Sequence, residues 1–337
     1  MNNTENINYP APKQEYKVLV RCFTFNHSKY IEDALNGFAM QQTSSPFVCL
    51  VMDDASTDGE QEVIKAWMER ECDMSRAETI DIPTSVVIIV PHKTNASCTF
   101  AFYLLKQNLY GTGDKKMNHV YPWRAKCEYE ALCEGDDYWI DPLKLQKQVD
   151  FMDKNQEYSM CFANAVEHYE DGSRDDKAFS LVDDRDYDGV EFYEDWIIPT
   201  ATVLFRANIV ESDVYKSAIN SRKFIHGDIV LFLSCAACGK VRGSLDKFSV
   251  YRRHIGGLTF VRTVEMSRLL VQHSEYTPIV FGKQYSKTAK KRVAEFALQG
   301  FVNSKFRDWS MFKKSFIQNP KCTIRQIVKI LGNKLRK

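Results

Sequence analysis

Residues 133–142 read Cys133-Glu134-Gly135-Asp136-Asp137-Tyr138-Trp139-Ile140-Asp141-Pro142. The stretch follows a strand-like run, Tyr129 to Cys133, and crowds carboxylates onto a turn that contains a glycine. Like charges held this close repel, so the turn calls for a counter-cation. A turn that presents Glu134 and Asp136 on one side suits a divalent ion. Mg2+ or Mn2+ takes one or two protein carboxylates and completes its shell with water and phosphate oxygens. The same residues also read as an acidic, solvated turn whose Asp141 and Pro142 start the next helix. Both readings stand until the flanking chain is read.

Upstream, Tyr16 to Asn26 is rich in β-branched and aromatic residues and predicts a strand. Tyr30-Ile31, Ala34-Leu35 and Phe38-Ala39 then recur at helical spacing. The apolar run Phe47 to Met52 ends in Asp53-Asp54-Ala55-Ser56-Thr57-Asp58-Gly59. Val63, Ile64 and Trp67 mark a second helix, whose start is signalled by Thr57 and Glu60 at capping-box spacing. Val86 to Pro91 predicts a third strand, Phe100 to Leu109 a helix, and Tyr129 to Cys133 a fourth strand. Alternating strands and helices predict an α/β fold, a mixed but mostly parallel sheet with helices on both faces and ligands at the carboxyl ends of the strands. Asp53-Asp54 and Glu134 to Asp137 fall at such ends. Tyr110 to Arg124 has no clear period and reads as a surface insertion.

Downstream, Leu145, Val149 and Met152 carry a helix, Met160 to Ala165 a strand, and Asp171 to Asp188 an acidic loop. Trp196 to Arg206 reads as extended. His226-Gly227-Asp228 precedes the apolar run Ile229 to Cys238, which Gly239 should close as a helix C-cap. Phe248 to Arg252 is the last strand, running into Arg252-Arg253-His254-Ile255-Gly256-Gly257. The expected division is a polar tail over 1–15, one α/β domain over 16–260 and a basic helical extension over 261–337.

With 337 residues, 44% of them apolar, the chain can bury a sizeable core. No run is long enough to span a membrane, and Met1 to Gln14 lacks the apolar centre of a signal peptide, so a cytoplasmic protein is expected. The 10 cysteines are scattered and several sit in apolar runs, which suits reduced thiols. Cys235 and Cys238 have no second pair to make a zinc site. The net charge of +1 conceals a segregation. From Lys283 onward there are 15 Lys+Arg against 2 acids, Glu295 and Asp308, leaving 30 against 42 before it. In Thr323 to Lys337 the residues Ile324, Ile327, Val328, Leu331 and Leu335 form one stripe among Arg325, Lys329, Lys334, Arg336 and Lys337. A basic amphipathic helix over 323–337 either lies on an anionic membrane or packs on the acidic remainder. No nucleic-acid partner is expected.

In this order the elements resemble family 2 glycosyltransferases, enzymes of GT-A fold. The resemblance is carried by Phe25-Asn26-His27 with Tyr30-Ile31, Asp53 to Asp58, Glu134 to Trp139 at the family's DxD position, and His226-Gly227-Asp228 ahead of a helix. It covers Tyr16 to about Gly257. It implies an inverting hexosyl transfer from a nucleoside-diphosphate sugar, expected to be a UDP-sugar, to a glycan or lipid-linked acceptor, with Mn2+ or Mg2+ as cofactor. On the matching positions Asp136 would hold the metal with His254, and Asp137 is an alternative ligand. Glu134 would face the ribose or bound water, Asp54 would accept the uracil imide N–H, and Asp228 would be the base that takes the acceptor's proton. Asp228 also reads as a helix N-cap, and Asp54 as a carboxylate favoured by a helix start. The chain departs from the family at Cys127, where relatives usually place a glycine, and at Asn95, which lacks the glycines that usually follow. A rival reading keeps the fold as a non-catalytic nucleotide-sugar or glycan-binding module. A nucleotidyltransferase would need a glycine-rich loop after the first strand, and Cys22 to Lys29 contains no glycine.

Overall fold

The computed structural model describes residues 9–109, 115–254 and 263–335, the last five of these as backbone only. In chain order its elements are β1 (Tyr16–Thr24), α1 (Ile31–Ala39), β2 (Phe47–Asp53), α2 (Glu60–Glu71), β3 (Glu78–Ile82), β4 (Ser85–Pro91), β5 (Cys98–Leu105), α3 (Lys116–Arg124), β6 (Cys127–Leu132), β7 (Tyr138–Trp139), α4 (Lys144–Lys154), β8 (Tyr158–Tyr169), β9 (Lys177–Ala178) and β10 (Asp186–Tyr187). There follow α5 (Gly189–Glu194), β11 (Leu204–Arg206), α6 (Asp213–Ser221), α7 (Gly227–Cys238), β12 (Lys240–Arg253), α8 (Val264–Phe281), α9 (Ser286–Asn303), α10 (Trp309–Gln318) and α11 (Pro320–Leu335).

The chain divides into two compact units. The first takes Met1–Asp186, Ile197–Asn208 and Gly239–His254; the second takes Tyr187–Trp196, Ile209–Cys238 and Ile255–Lys337. The first holds a mixed sheet in the order β10-β12-β8-β11-β6-β1-β2-β5-β4-β3. Its centre is parallel, β6 with β1, β1 with β2 and β2 with β5, while β11 lies antiparallel between β6 and β8. Every residue of β2 (FVCLVMD) is buried, as a strand covered on both faces requires. Val20, Cys49, Val51, Phe100 and Phe102 face α1, α2 and α4 on one side. Leu19, Val48, Leu50, Ala101 and Tyr103 face Val120 and Trp123 of α3 on the other.

Several sequence expectations change here for physical reasons. Phe100 to Leu109 is not a helix: β5 pairs with β2 and β4, and its apolar run is continuous because both faces are covered, which erases the period that separates strand from helix. The part of the expected surface insertion that is described forms α3. Trp123 is buried there and donates Nε1–H to Tyr103 Oη at 2.6 Å; residues 110–114 lie outside the described residues. The capping box at Thr57 and Glu60 does not form, since α2 starts after a left-handed Gly59 and the Glu60 side chain turns inward. Gly239 has no positive φ. A Cβ there would come within 2.9 Å of Glu157 O, so close backbone approach, not a helix cap, requires the glycine. The polar tail ends earlier than expected, because Pro10 is buried and its carbonyl accepts the Tyr103 hydroxyl at 3.3 Å.

The second unit is helical and claims α7, which the sequence reading places in the sheet domain. Within that unit Phe224 packs on His273 and Phe281 at 4.9 and 5.8 Å, and Tyr193 on Tyr285 at 5.6 Å. The expected boundary near 260 lies outside the described residues. In α11 the stripe is divided. Ile327 packs with Ile330 against Val293, Phe301 and Met311, whereas Ile324 and Val328 are 52% and 64% exposed; the side chains of Leu331 and Leu335 lie outside the described residues. Among the described residues no helix is long and apolar enough to cross a membrane.

Candidate metal centre

The site grows from two loops that leave neighbouring parallel strands and are laced together. After β1 the chain turns through Asn26 at φ 59°, and after β2 through Ala55 at φ 58°, both in the left-handed region. Asn26 N–H donates to Ser56 Oγ at 2.9 Å, and Asn26 Oδ1 accepts the Thr57 N–H at 2.8 Å. Ser28 N–H donates to Asp58 Oδ2 and His27 N–H to Glu60 Oε2, each at 2.9 Å. Glu60 is fully buried and also accepts from Ser56 Oγ at 2.8 Å and from the Thr24 hydroxyl. The acids of this segment thus spend their charge on backbone and hydroxyl donors, which holds the His27 backbone in one place.

The acidic turn after β6 lies across the end of β1. Cys133 N–H donates to Arg21 O and Gly135 N–H to Phe23 O, at 3.2 and 3.1 Å. A Cβ on Gly135 would fall 2.1 Å from Thr24 Oγ1, so only glycine lets the turn come this close. The next two residues then part. Asp137 turns inward, 5% exposed, and its Oδ1 accepts the Arg252 N–H at 2.9 Å. Burial, with the neighbouring charge of Asp136, pushes its pKa well above the usual carboxylate range. Asp136 turns the other way, and His254 Nε2 lies 3.0 Å and His27 Nε2 3.8 Å from its Oδ2. Burial alone would raise the Asp136 pKa; the His254 hydrogen bond and the two imidazoles hold it below the usual value.

These donor atoms of His27, Asp136 and His254 all lie within 4.8 Å of one another. Two imidazole nitrogens and one carboxylate oxygen fit a divalent first-row ion, for which ligands at about 2.1 Å sit about 3 Å apart in adjacent positions. His254 is held firmly. Two residues before it, Arg252 pairs with Asp33 and Glu170 and lies over Tyr138 and Tyr30 at 4.5 and 5.1 Å, and Tyr30 packs on the His254 ring at 4.8 Å. Arg252 therefore braces the end of β12. Residues 255–257 of the closing motif lie outside the described residues.

Of the residues named from the sequence, Asp136 and His254 come together, and Asp137 stands apart from their cluster. Glu134 is half-buried at the head of the same turn, its carbonyl accepting the Asp137 N–H at 3.2 Å. Asp54 is buried at the end of β2, with Oδ1 accepting Leu109 N–H and Oδ2 facing Lys116 Nζ, both at 2.7 Å. Asp228 belongs to the second unit, at the second residue of α7, where its Oδ1 accepts Ile229 N–H at 2.8 Å. It sits inside the helix start and is not the N-cap residue. Asn95 braces a turn, donating to Ala39 O and Gln41 O at 2.9 and 2.8 Å. His27 is the member of the cluster to which the sequence reading gives no role. Its signal is a histidine just past the end of the first strand, on the loop that a parallel sheet sets beside the ligand.

No protein-family model matches the chain. Proteins of Mycobacterium bovis and of two Mycobacterium tuberculosis strains, each described as uncharacterized, are 29% identical over 235 residues, 70% of this chain. The chain spans 58% of their length. Among solved structures, Staphylococcus aureus TarS is similar with a TM-score of 0.53 at 15% identity, over 85% of this chain and 43% of that one. A TarS fragment, residues 1–349, gives 0.50 at 14% identity over 87% and 74%. At such identities the likeness is one of fold, and that fold is the mixed α/β, Rossmann-like GT-A arrangement.

Proposed function

We propose that this chain is a metal-dependent, inverting glycosyltransferase of the family 2 type, which moves a hexosyl group from a nucleoside-diphosphate sugar, a UDP-sugar, to a glycan or lipid-linked acceptor. The observation that carries the reading is the convergence of His27, Asp136 and His254 past the carboxyl ends of β1, β6 and β12 in a GT-A-like sheet. That is where an open α/β sheet binds ligands.

A bound Mn2+ or Mg2+ would neutralise the charge that develops on the departing diphosphate. Asp136 and His254 are its proposed protein ligands, and Glu134 orients ribose or bound water. Asp54 reads the base by accepting the uracil N–H; because both its oxygens have partners, the base takes the place of Lys116. The acceptor hydroxyl attacks the anomeric carbon as the bond to the diphosphate breaks, and Asp228 takes the hydroxyl proton. Its carboxylate is partly exposed and spends one oxygen on the Ile229 N–H, an arrangement an asparagine could keep without being able to take a proton.

The second unit supplies a contact with the acceptor's surroundings. On α10 the exposed face carries Trp309, Lys313, Phe316 and Ile317, and on α11 it carries Lys321, Ile324, Arg325, Val328 and Lys329. No acid occurs after Asp308. Exposed apolar side chains among unopposed cations match an anionic bilayer surface, which a lipid-linked acceptor would require the enzyme to reach. The activity is tested by incubating the chain with UDP- and GDP-sugars, with and without Mn2+, and measuring nucleoside diphosphate release. Release that needs the metal and is lost in Asp136→Ala and Asp228→Asn supports the reading. Absence of both binding and turnover for every nucleotide sugar refutes it.

A further inference from the structure

We propose that His27 is a third protein ligand of this centre, set in its ligating tautomer by Thr24 and Glu60, and that the resulting two-nitrogen donor set selects Mn2+ over Mg2+. The inference rests on the metal-centre reading above and adds a ligand, a supporting relay and an ion preference to it.

The argument starts from hydrogen accounting. Thr24 has one hydroxyl proton, and its close contact with Glu60 Oε1 spends it on that carboxylate, which also accepts from the His27 N–H and Ser56 Oγ. Thr24 Oγ1 can then only accept, and the group 3.1 Å away is His27 Nδ1. Nδ1 must therefore carry the imidazole proton, which leaves Nε2 with its lone pair. Nε2 is the atom that faces Asp136 Oδ2, at 3.8 Å, a separation too long for a hydrogen bond and suited to two acceptors aimed at one point. His254 behaves differently, since its Nε2 sits at hydrogen-bond distance, 3.0 Å, from the same oxygen. A carboxylate that fixes the ring of a ligating histidine is a recurrent support of metal sites, here extended by one threonine.

The relay is built into the fold. Thr24 is the last residue of β1 and is 2% exposed, Glu60 opens α2 and is fully buried, and the absent side chain of Gly135 leaves room for Thr24 Oγ1. The His27 and His254 rings meet edge to face at 5.8 Å, so the donors converge with their rings already packed. Mg2+ takes oxygen ligands and gives up its water reluctantly, whereas imidazole nitrogen binds more strongly to Mn2+ and the later first-row ions.

The test uses the full chain without nucleotide, with Mn2+ and Mg2+ as probes, by calorimetric titration and by pulsed electron paramagnetic resonance of bound Mn2+. Wild type should bind Mn2+ at least about 10-fold more tightly than Mg2+ and show two imidazole 14N couplings. His27→Ala should leave one coupling and narrow the preference, and Thr24→Val should weaken Mn2+ binding by about 10- to 100-fold, the usual effect of losing such a support. A single 14N coupling in wild type, read without any substitution, overturns the proposal, as does equal binding of the two ions. A chain that holds Mn2+ through two nitrogens but binds no nucleoside diphosphate keeps this inference and overturns the function proposed above.

Discussion

Two acidic turns leave the strands on either side of β1 at the carboxyl ends of the sheet, and they put the same chemistry to opposite uses. In Asp53 to Glu60 most carboxylate oxygens are matched by protein donors: Ser56 and Gln61 on Asp53 Oδ1, whose Oδ2 is buried without a partner, Leu109 and Lys116 for Asp54, Ser28 for Asp58, and Thr24, His27 and Ser56 for Glu60. In Glu134 to Asp137 one carboxylate is buried under a backbone N–H, and its neighbour is turned toward two imidazoles. The first turn holds a loop in shape, and the second aims a carboxylate oxygen at two imidazole nitrogens. An acidic run is thus read by its partners. Backbone and hydroxyl donors consume a carboxylate's capacity, while imidazole nitrogens, being metal ligands themselves, add to it.

The largest effect separating the turns should come from Asp136→Ala. Loss of a supporting residue around a metal costs about 10- to 100-fold, so loss of a ligand should lower metal-dependent turnover at least about 100-fold. Thermal unfolding should change little, because the Asp136 Oδ2 partners from other segments are the His254 and His27 side chains. A variant that kept its turnover in Mn2+ would break the comparison.

Next in size is a cation on the helix that follows the second turn. Lys144 is fully buried, its Nζ 4.2 Å from the Trp139 ring centre and 2.7 Å from Gln148 Oε1. Burial pulls its pKa down to about 7. The unfolded chain keeps this proton up to about pH 10.4, so between those values the unfolded state binds more protons and stability rises with pH. Lys144→Met should remove that rise and stabilise the protein at pH 7 by a few kcal/mol, since each pH unit between the folded and unfolded pKa values is worth about 1.4 kcal/mol. Denaturant melts at pH 7 and 9.5 should show the gap between variant and wild type closing at the higher pH. A gap independent of pH would mean the ammonium is not desolvated.

In the first turn Asp58→Ala should do the reverse of Asp136→Ala. It strips the acceptor from the exposed Ser28 N–H and costs about 0.5–1.5 kcal/mol of stability. Mn2+ affinity should fall far less than in Asp136→Ala. Equal losses of metal binding in the two variants would merge the turns into one site. The smallest effect expected is on vesicles: Ile317→Ser with Val328→Ser should reduce co-sedimentation with anionic liposomes at low salt, and neutral liposomes should bind neither form. Negligible binding of wild type to anionic vesicles would remove the membrane surface from the account.

Much of this was legible in the sequence. The strands that end at Thr24 and Leu132 announce themselves by apolar runs closed by polar turns, and His27 and Asp136 lie just past these ends. What escaped was whatever depends on contacts between distant segments. His27 reaches Asp136 only because β1 and β6 are parallel neighbours, and Glu60 leaves its expected cap because Thr24, Ser56 and the His27 N–H compete for it. Asp136 and Asp137 are alike in sequence and are distinguished by which of them the turn directs at Arg252. Phe100 to Leu109 reads as helical because β5, a strand buried on both faces, has no alternation left to read.

The central claim is that this corner joins a nucleoside diphosphate to a protein-held metal, and titration of UDP into the chain with and without Mn2+ tests it most directly. The account predicts binding that requires Mn2+ and disappears in Asp136→Ala. UDP affinity that is the same with and without the metal, or unchanged in that variant, would contradict it.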